Sequence, residues 1–221
     1  MEVDEALFLL GMQPGQSVAI DHDHNVGVPS FSQAELQTYR DTEVPDLVGP
    51  GLRLLFVGIN PGLWTAAVQT HFAHPGNRFY PALLEAGIIE RPIDPSAGMS
   101  DEDRAAFVAR GLGITNVVPR ASARADELSK AELRAGGEAL VRRVEEWAPR
   151  VVAVAGITAY RAAFGRPRAT AGRQAERWGS SEVWVVPNPS GLNAHETIAT
   201  LATAYAAPAR AAGILPATMG T

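Results

Sequence analysis

The run Leu52–Ile59 (LRLLFVGI) constrains this chain more than any other segment, because no side chain in it except Arg53 seeks water. A strand with one wet face alternates polar and apolar residues. A strand that does not alternate has to be covered on both faces, as in a parallel sheet between helices. The rest of the chain supplies the covers. Asn77–Ala86 places Phe79, Leu83 and Leu84 on one side of a helix. Ser129-Lys130-Ala131-Glu132 is a capping box opening a helix that runs to Trp147, with Leu133, Leu140, Val141 and Val144 inward and Pro149 just past its end. Ile114–Val118, Val151–Ala155 and Val183–Val186 read as further strands, and Ser32–Arg40 and Thr158–Phe164 as helices. Gly165–Gly179 reads as a Pro/Gly/Arg loop, and Glu196–Ala212 as a terminal helical region interrupted near Pro208. The alternation predicts an α/β fold: one three-layer domain with a mostly parallel central sheet flanked by helices.

The 221 residues suit one domain spanning 31–221, preceded by residues 1–30 as a flexible acidic extension without sustained periodicity. Asp21-His22-Asp23-His24 holds metal-ligand types, but adjacent ligands with nothing to orient them do not make a site, so no metal is expected. Cysteine is absent, which excludes disulfides, thiolate metal centres and a cysteine nucleophile. No apolar run approaches the roughly 20 residues that cross a bilayer. No membrane partner and a cytoplasmic location are therefore expected.

The net charge of −5 argues at first against a polyanionic partner. Its distribution argues otherwise. Residues 1–100 carry 4 basic and 12 acidic side chains, and residues 101–221 carry 15 and 12. Between Tyr160 and Gly179 stand five arginines (161, 166, 168, 173 and 177) against Glu176 alone. Arginine is the better fork for phosphate, although a solvated loop gives the same pattern.

Ligands of such sheets bind beyond the carboxyl ends of the strands. Two polar, Gly/Pro-rich segments lie there, residues 58–80 and 187–195. In Gly58-Ile59-Asn60-Pro61-Gly62, Pro61 forces a turn, Gly62 leaves the backbone open, and the Asn60 amide can hold a water through both donor and acceptor. A plain strand-to-turn transition fits the same residues. A phosphate cradle lacks the Lys-Ser/Thr that should follow. In Asn188-Pro189-Ser190-Gly191-Leu192-Asn193, Leu192 is either core or, if exposed, an apolar wedge of the kind that enters a base stack. Ser190 and nearby amides could meet a phosphate. Phe72, in Phe72-Ala73-His74-Pro75-Gly76-Asn77-Arg78-Phe79-Tyr80, offers a flat face to a base or simply belongs to the core; His74 reads as a hydrogen-bonding loop residue.

Taken in order, GINPGL, FAHPGNRFY and NPSGL resemble the mismatch-specific uracil / thymine-DNA glycosylase family of the uracil-DNA glycosylase superfamily, over about residues 50–213. Gly113–Asn116, Glu127–Lys130 and Leu133–Gly137 fit as well. The resemblance implies a monomeric, cofactor-free DNA repair enzyme that flips a base out of double-stranded DNA and breaks its N-glycosidic bond. It implies that Asn60 positions the attacking water and that Ile59, Gly62, Thr65, Phe72 and Asn188 bind the base. Phe72 would stack on the base, and backbone amides near Ile59 and Phe72 would read its polar edge. Ser190, Gly191 and Leu192 would meet the backbone and fill the hole in the stack. The alternative is a DNA-binding module of the same fold without catalysis.

The departures from the family matter equally. Neither motif carries the Asp or His of the faster relatives, which predicts slow turnover and a tolerant pocket. Trp64-Thr65 stands where relatives have small residues and is expected to reshape the pocket. Asn193-Ala194-His195 replaces an arginine that helps engage the opposite strand, leaving the opposite-base preference open; His195 reads first as a helix-cap residue. Of Glu90, Asp94 and Asp101, Asp94 in the turn Pro92–Pro95 is the candidate auxiliary to Asn60. Lys130 is the sole lysine and lies outside both motifs, so a Schiff-base lyase step is not expected.

Overall fold

Leu54, Leu55, Phe56 and Val57 are all fully buried, at about 1.5–3 kcal/mol for each side chain withdrawn from water. The computed structural model describes residues 29–217. In chain order the elements are α1 (Gln33–Gln37), β1 (Leu54–Gly58), α2 (Leu63–Val68), α3 (Phe79–Glu85), α4 (Asp101–Ala109), β2 (Leu112–Asn116), α5 (Lys130–Trp147), β3 (Val151–Ala155), α6 (Ile157–Ala163), β4 (Gly172–Trp178), β5 (Ser181–Val186) and α7 (Ile198–Ala211). Successive strand residues point to opposite faces. Leu54 and Phe56 therefore join Phe79, Leu83, Leu201 and Tyr205 beneath α3 and α7. Leu55 and Val57 join Leu140, Val144 and Tyr160 beneath α5 and α6.

The sheet order is β2-β1-β3-β5-β4. The first four strands are parallel, with Phe56 level with both Ile114 and Ala153, and β4 runs antiparallel to β5 along the edge. The chain moves from β1 to β2 on one side and returns to β3 on the other, so the order reverses beside β1. The carboxyl ends of β1, β2, β3 and β5 gather at one edge of the sheet, where such reversals open a crevice.

The expected three-layer α/β domain is present. Three expectations are corrected. The loop foreseen over Gly165–Gly179 contains β4, with Arg173, Ala175 and Arg177 exposed on its outer side; an edge strand keeps one face wet, so its pattern reads as polar loop. Pro208 does not interrupt the last helix, which continues to Ala211. It leaves the Ala204 carbonyl without its usual amide donor, and the helix carries it with the ring buried. Helices α2 and α4 were not foreseen: α2 has six residues, and α4 buries Phe107 alone. The proposed extension 1–30 and the Asp21–His24 cluster lie almost wholly or wholly outside the described residues.

Helix α5 reaches the sheet because two consecutive residues lack a side chain. A Cβ at Gly136 would stand 2.5 Å from the Val117 carbonyl oxygen, and one at Gly137 would stand 2.8 Å from that of Ala163. Glycine inside a helix ordinarily weakens it relative to alanine. Here the sign reverses, because the obstacle is backbone. Gly136→Ala should cost about 1–3 kcal/mol of overpacking and lower Tm by roughly 2–4 °C per kcal/mol. A thermal melt that rises instead would show that helix propensity outweighs the contact.

Candidate active site

The crevice at the carboxyl ends of the strands is lined by the segments after β1, β2 and β5 and by the stretch 71–78 before α3. Its best-defined member is Asn60. Its Nδ2 donates to Ser122 Oγ at 2.8 Å, to the Arg120 carbonyl at 3.2 Å and to the Pro61 carbonyl at 3.1 Å. These partners all accept, so the NH2 must face them, and the Oδ1 is turned the other way as an acceptor. Ser122 can accept because its own proton goes to the Arg124 carbonyl, 2.7 Å away.

That anchor is itself held from outside. Asp41 N–H donates to Ala121 O and Ala121 N–H to Thr42 O, both at 2.9 Å. Arg120 pairs with Asp41 at 3.0 Å and with Glu132 at 2.7 Å. The Ser129 backbone N–H, helped by Arg120, holds the Glu132 carboxyl well below its ordinary range. The segment before β1 thus fixes the loop that fixes Asn60.

A second amide closes the floor. Asn116, the last residue of β2, is buried and donates from Nδ2 to His71 Nδ1 at 3.1 Å. His71 Nε2 lies 2.9 Å from the Pro45 carbonyl and must carry the proton, which leaves Nδ1 as the acceptor. Burial pushes the His71 pKa down and keeps the ring neutral. Asn116 Oδ1 faces Gly58: a Cβ there would collide with that oxygen and stand 3.3 Å from Phe72 Cζ. Gly58 makes room for a carboxamide and an aromatic edge at the end of β1.

Phe72 occupies the left-handed region at φ +56°, a conformation that costs a non-glycine residue of order 1–3 kcal/mol. Its half-buried ring stacks on Phe79 with centroids 4.2 Å apart and planes at 26°. Ile59 and Asn188 both pack beside Gly156, between the ends of β1 and β5. Asn188 caps its own loop, its Oδ1 accepting from Ser190 N–H at 3.0 Å and its carbonyl accepting from Asn193 Nδ2 at 3.1 Å. Gly62 is exposed and has nothing within 4 Å of where a Cβ would lie; Thr65 is buried three residues further along α2. Leu192 stands at the tip of the 188–196 loop, 95% exposed. Gly191 behind it lies against Gly76, whose carbonyl oxygen would be 2.5 Å from an added Cβ.

The structure thus brings Ile59, Phe72 and Asn188 to one edge with Asn60, Gly62, Ser190, Gly191 and Leu192. No hydrogen bond links Asn60 to Asn188. Asp94 is exposed, and its Oδ1 accepts from Ser96 N–H at 2.9 Å within its own turn. Trp64 is half-buried. Its Nε1 donates to Ser96 O at 2.9 Å and its ring packs edge-on against Phe31 and His74. Asn116, Ser122 and His71 escaped the sequence reading. Asn116 alone left a signal, as a polar residue closing a buried strand. Among the described residues no cluster of His, Asp or Glu is arranged to hold a metal ion, and no helix is long and apolar enough to cross a membrane.

Residues 45–207 match the family model described as "Uracil DNA glycosylase superfamily". Among solved structures, the chain is similar to the solution NMR structure of a protein from Methanosarcina acetivorans, provisionally named a uracil DNA glycosylase. The two are 15% identical, the match covers 79% of this chain and 98% of that one, and the TM-score is 0.53. At that identity the likeness speaks for the fold, whereas the family match spans most of the domain. By that match, this chain belongs to the uracil DNA glycosylase superfamily.

Proposed function

We propose that the protein removes uracil, and related damaged or mismatched bases, from double-stranded DNA and leaves an abasic site. The observation that carries this reading is a single exposed leucine on a braced loop beside a crevice floored by an aromatic ring. Among the described residues the large exposed hydrophobics are Leu192 and, far less, Ile198 at 37%. A lone exposed leucine is common on protein surfaces; this one is distinguished by its place, at the tip of a loop packed against the stretch that carries Phe72. A base stack would bury it, and the hole left by an extruded nucleotide fits one apolar side chain.

The extruded base would lie on Phe72, between the Asn116 carboxamide and the Asn188 side of the crevice. The sugar would then face Asn60. Asn60 Oδ1 accepts a hydrogen bond from water and aims its oxygen at C1′. Asn60 is no strong base, and it need not be one. As the bond to the base breaks, the sugar becomes an oxocarbenium-like electrophile that weak nucleophiles attack. The departing base carries the negative charge, and hydrogen-bond donors around the crevice stabilise it. Ser122 acts through Asn60 as a positioning residue. With no carboxylate bonded to Asn60, turnover is slow and selection among bases is broad. These features support a reading within the mismatch-specific and thymine-DNA glycosylase branch of the superfamily.

The direct test uses duplex oligonucleotides with uracil opposite guanine or adenine, followed by alkali. Strand breaks at uracil that require alkali, with no borohydride-trapped adduct, are expected; absence of breaks with uracil and with etheno-cytosine would leave a DNA-binding module instead. In single-turnover kinetics, Asn60→Ala should slow excision about 10²–10⁴-fold. Ser122→Ala should cost about tenfold, and Asp94→Ala should cost nothing. A slow Asp94→Ala variant would restore that carboxylate to the mechanism.

His71 makes stability depend on pH in a defined direction. Its folded-state pKa is lowered, chiefly by burial. The unfolded chain therefore binds the proton first as pH falls. The contribution is fully present above the ordinary histidine value of about 6.5 and is lost as pH falls below it. Urea midpoints should fall with pH from about 6.5 toward 5, and His71→Gln should flatten that dependence. Equal slopes for the two proteins would assign the acid transition to other groups.

A further inference from the structure

Among the described residues Arg78 has no carboxylate partner, yet it is half-buried and its side chain bonds three carbonyls of one loop. Its Nη2 donates to the Ser190 and Asn193 carbonyls, both at 2.7 Å, and its Nη1 donates to the Glu196 carbonyl. Its backbone N–H donates to Pro189 O at 3.0 Å. All four acceptors lie in residues 189–196, the loop that carries Leu192. A guanidinium withdrawn from water requires compensation; the loop carbonyls supply it to Nη1 and Nη2, while Nε is buried without a partner among the described residues. The planar fork spans three carbonyls at once, which a lysine ammonium on a flexible stem does not reproduce.

Arg78 also sits at a junction. It is the residue before α3, and its neighbour Phe79 is the ring on which Phe72 stacks. One peptide unit thus ties the aromatic floor of the crevice to the loop above it. The contact of Gly191 with Gly76 O fastens the same two segments a second time. We propose that Arg78 is a positioning residue for base extrusion: it holds the Leu192 loop at a fixed height over the crevice, so that leucine enters the stack without first ordering its own backbone. The inference rests on the base-excision reading above. A preordered wedge acts only where a stacked, paired base must be displaced. A base that is already unpaired costs less to extrude and gains little from the wedge.

Two measurements decide it, using Arg78→Lys, which keeps the charge, and Arg78→Ala. The first compares single-turnover excision of uracil paired with guanine and of uracil opposite an abasic analogue. Arg78→Lys should lose about tenfold or more on the paired substrate and about threefold or less on the unpaired one. Equal losses on both would make Arg78 a residue of general stability and overturn the proposal. The second is hydrogen exchange of the free protein. Protection should fall in residues 190–196 of Arg78→Lys and stay unchanged in β1 and α3. Unchanged loop protection overturns the proposal even if excision slows. If the wild-type protein excises neither substrate, the base-excision reading fails, while the exchange result still decides whether Arg78 braces the loop. If Arg78→Ala does not fold, Arg78→Lys carries both measurements.

Discussion

The burial of β1 on both faces is the constraint from which the rest follows. Four consecutive apolar residues with no exposure require helices above and below the strand. Parallel neighbours joined through those helices then align their carboxyl ends at one edge. Once β1 leaves the core at Gly58 its chain must turn, and it does so as Asn60-Pro61-Gly62. The crevice is where the sheet stops being able to satisfy itself. Loop groups have to complete the bonding there, and the same groups are left facing a ligand.

The completion is made almost wholly by neutral amides and hydroxyls. Asn60, Asn116 and Asn188 each spend one side of the carboxamide on the protein, and Ser122 both accepts and donates there. For Asn60 and Asn116 the spent side is the NH2, and the oxygen remains. For Asn188 the oxygen is spent on its loop. A charged crevice would need counter-charges and would shift its own titrations; an amide crevice needs neither, and the buried His71 bonded to Asn116 is held neutral by burial. That choice suits chemistry in which the electrophile supplies the driving force and the protein supplies position.

The large elements were legible because they rest on local periodicity. The unbroken apolar run announced β1, and the Ser129–Glu132 capping box marked the start of α5 to the residue. The loop Asn188–Asn193 was legible for the same reason, as a polar interruption after an apolar strand. Edge strand β4 was not. It pairs on one side only, and its exposed arginines match the composition of a loop. Pro208 misled in the opposite direction: a local propensity predicts a break, and the tertiary packing that buries the ring overrides it.

The sequence by itself determined the layers, the parallel sheet and which two segments meet at its edge, because burial pattern and turn chemistry are written residue by residue. It left Leu192 open between core and wedge, Phe72 between core and platform, and Arg78 without a role. The tertiary structure decided where they stand: Leu192 is exposed, Phe72 is half-buried against Phe79, and Arg78 bonds three carbonyls of the Leu192 loop. Leu192 is exposed because Arg78, 114 positions earlier in the chain, gathers the loop's carbonyls inward and leaves its tip outside. Asn60 presents its oxygen because Ser122 and Arg120, about sixty residues away, take its hydrogens. The orientation of a side chain depends on partners distant in sequence, and no local pattern records which partners those are.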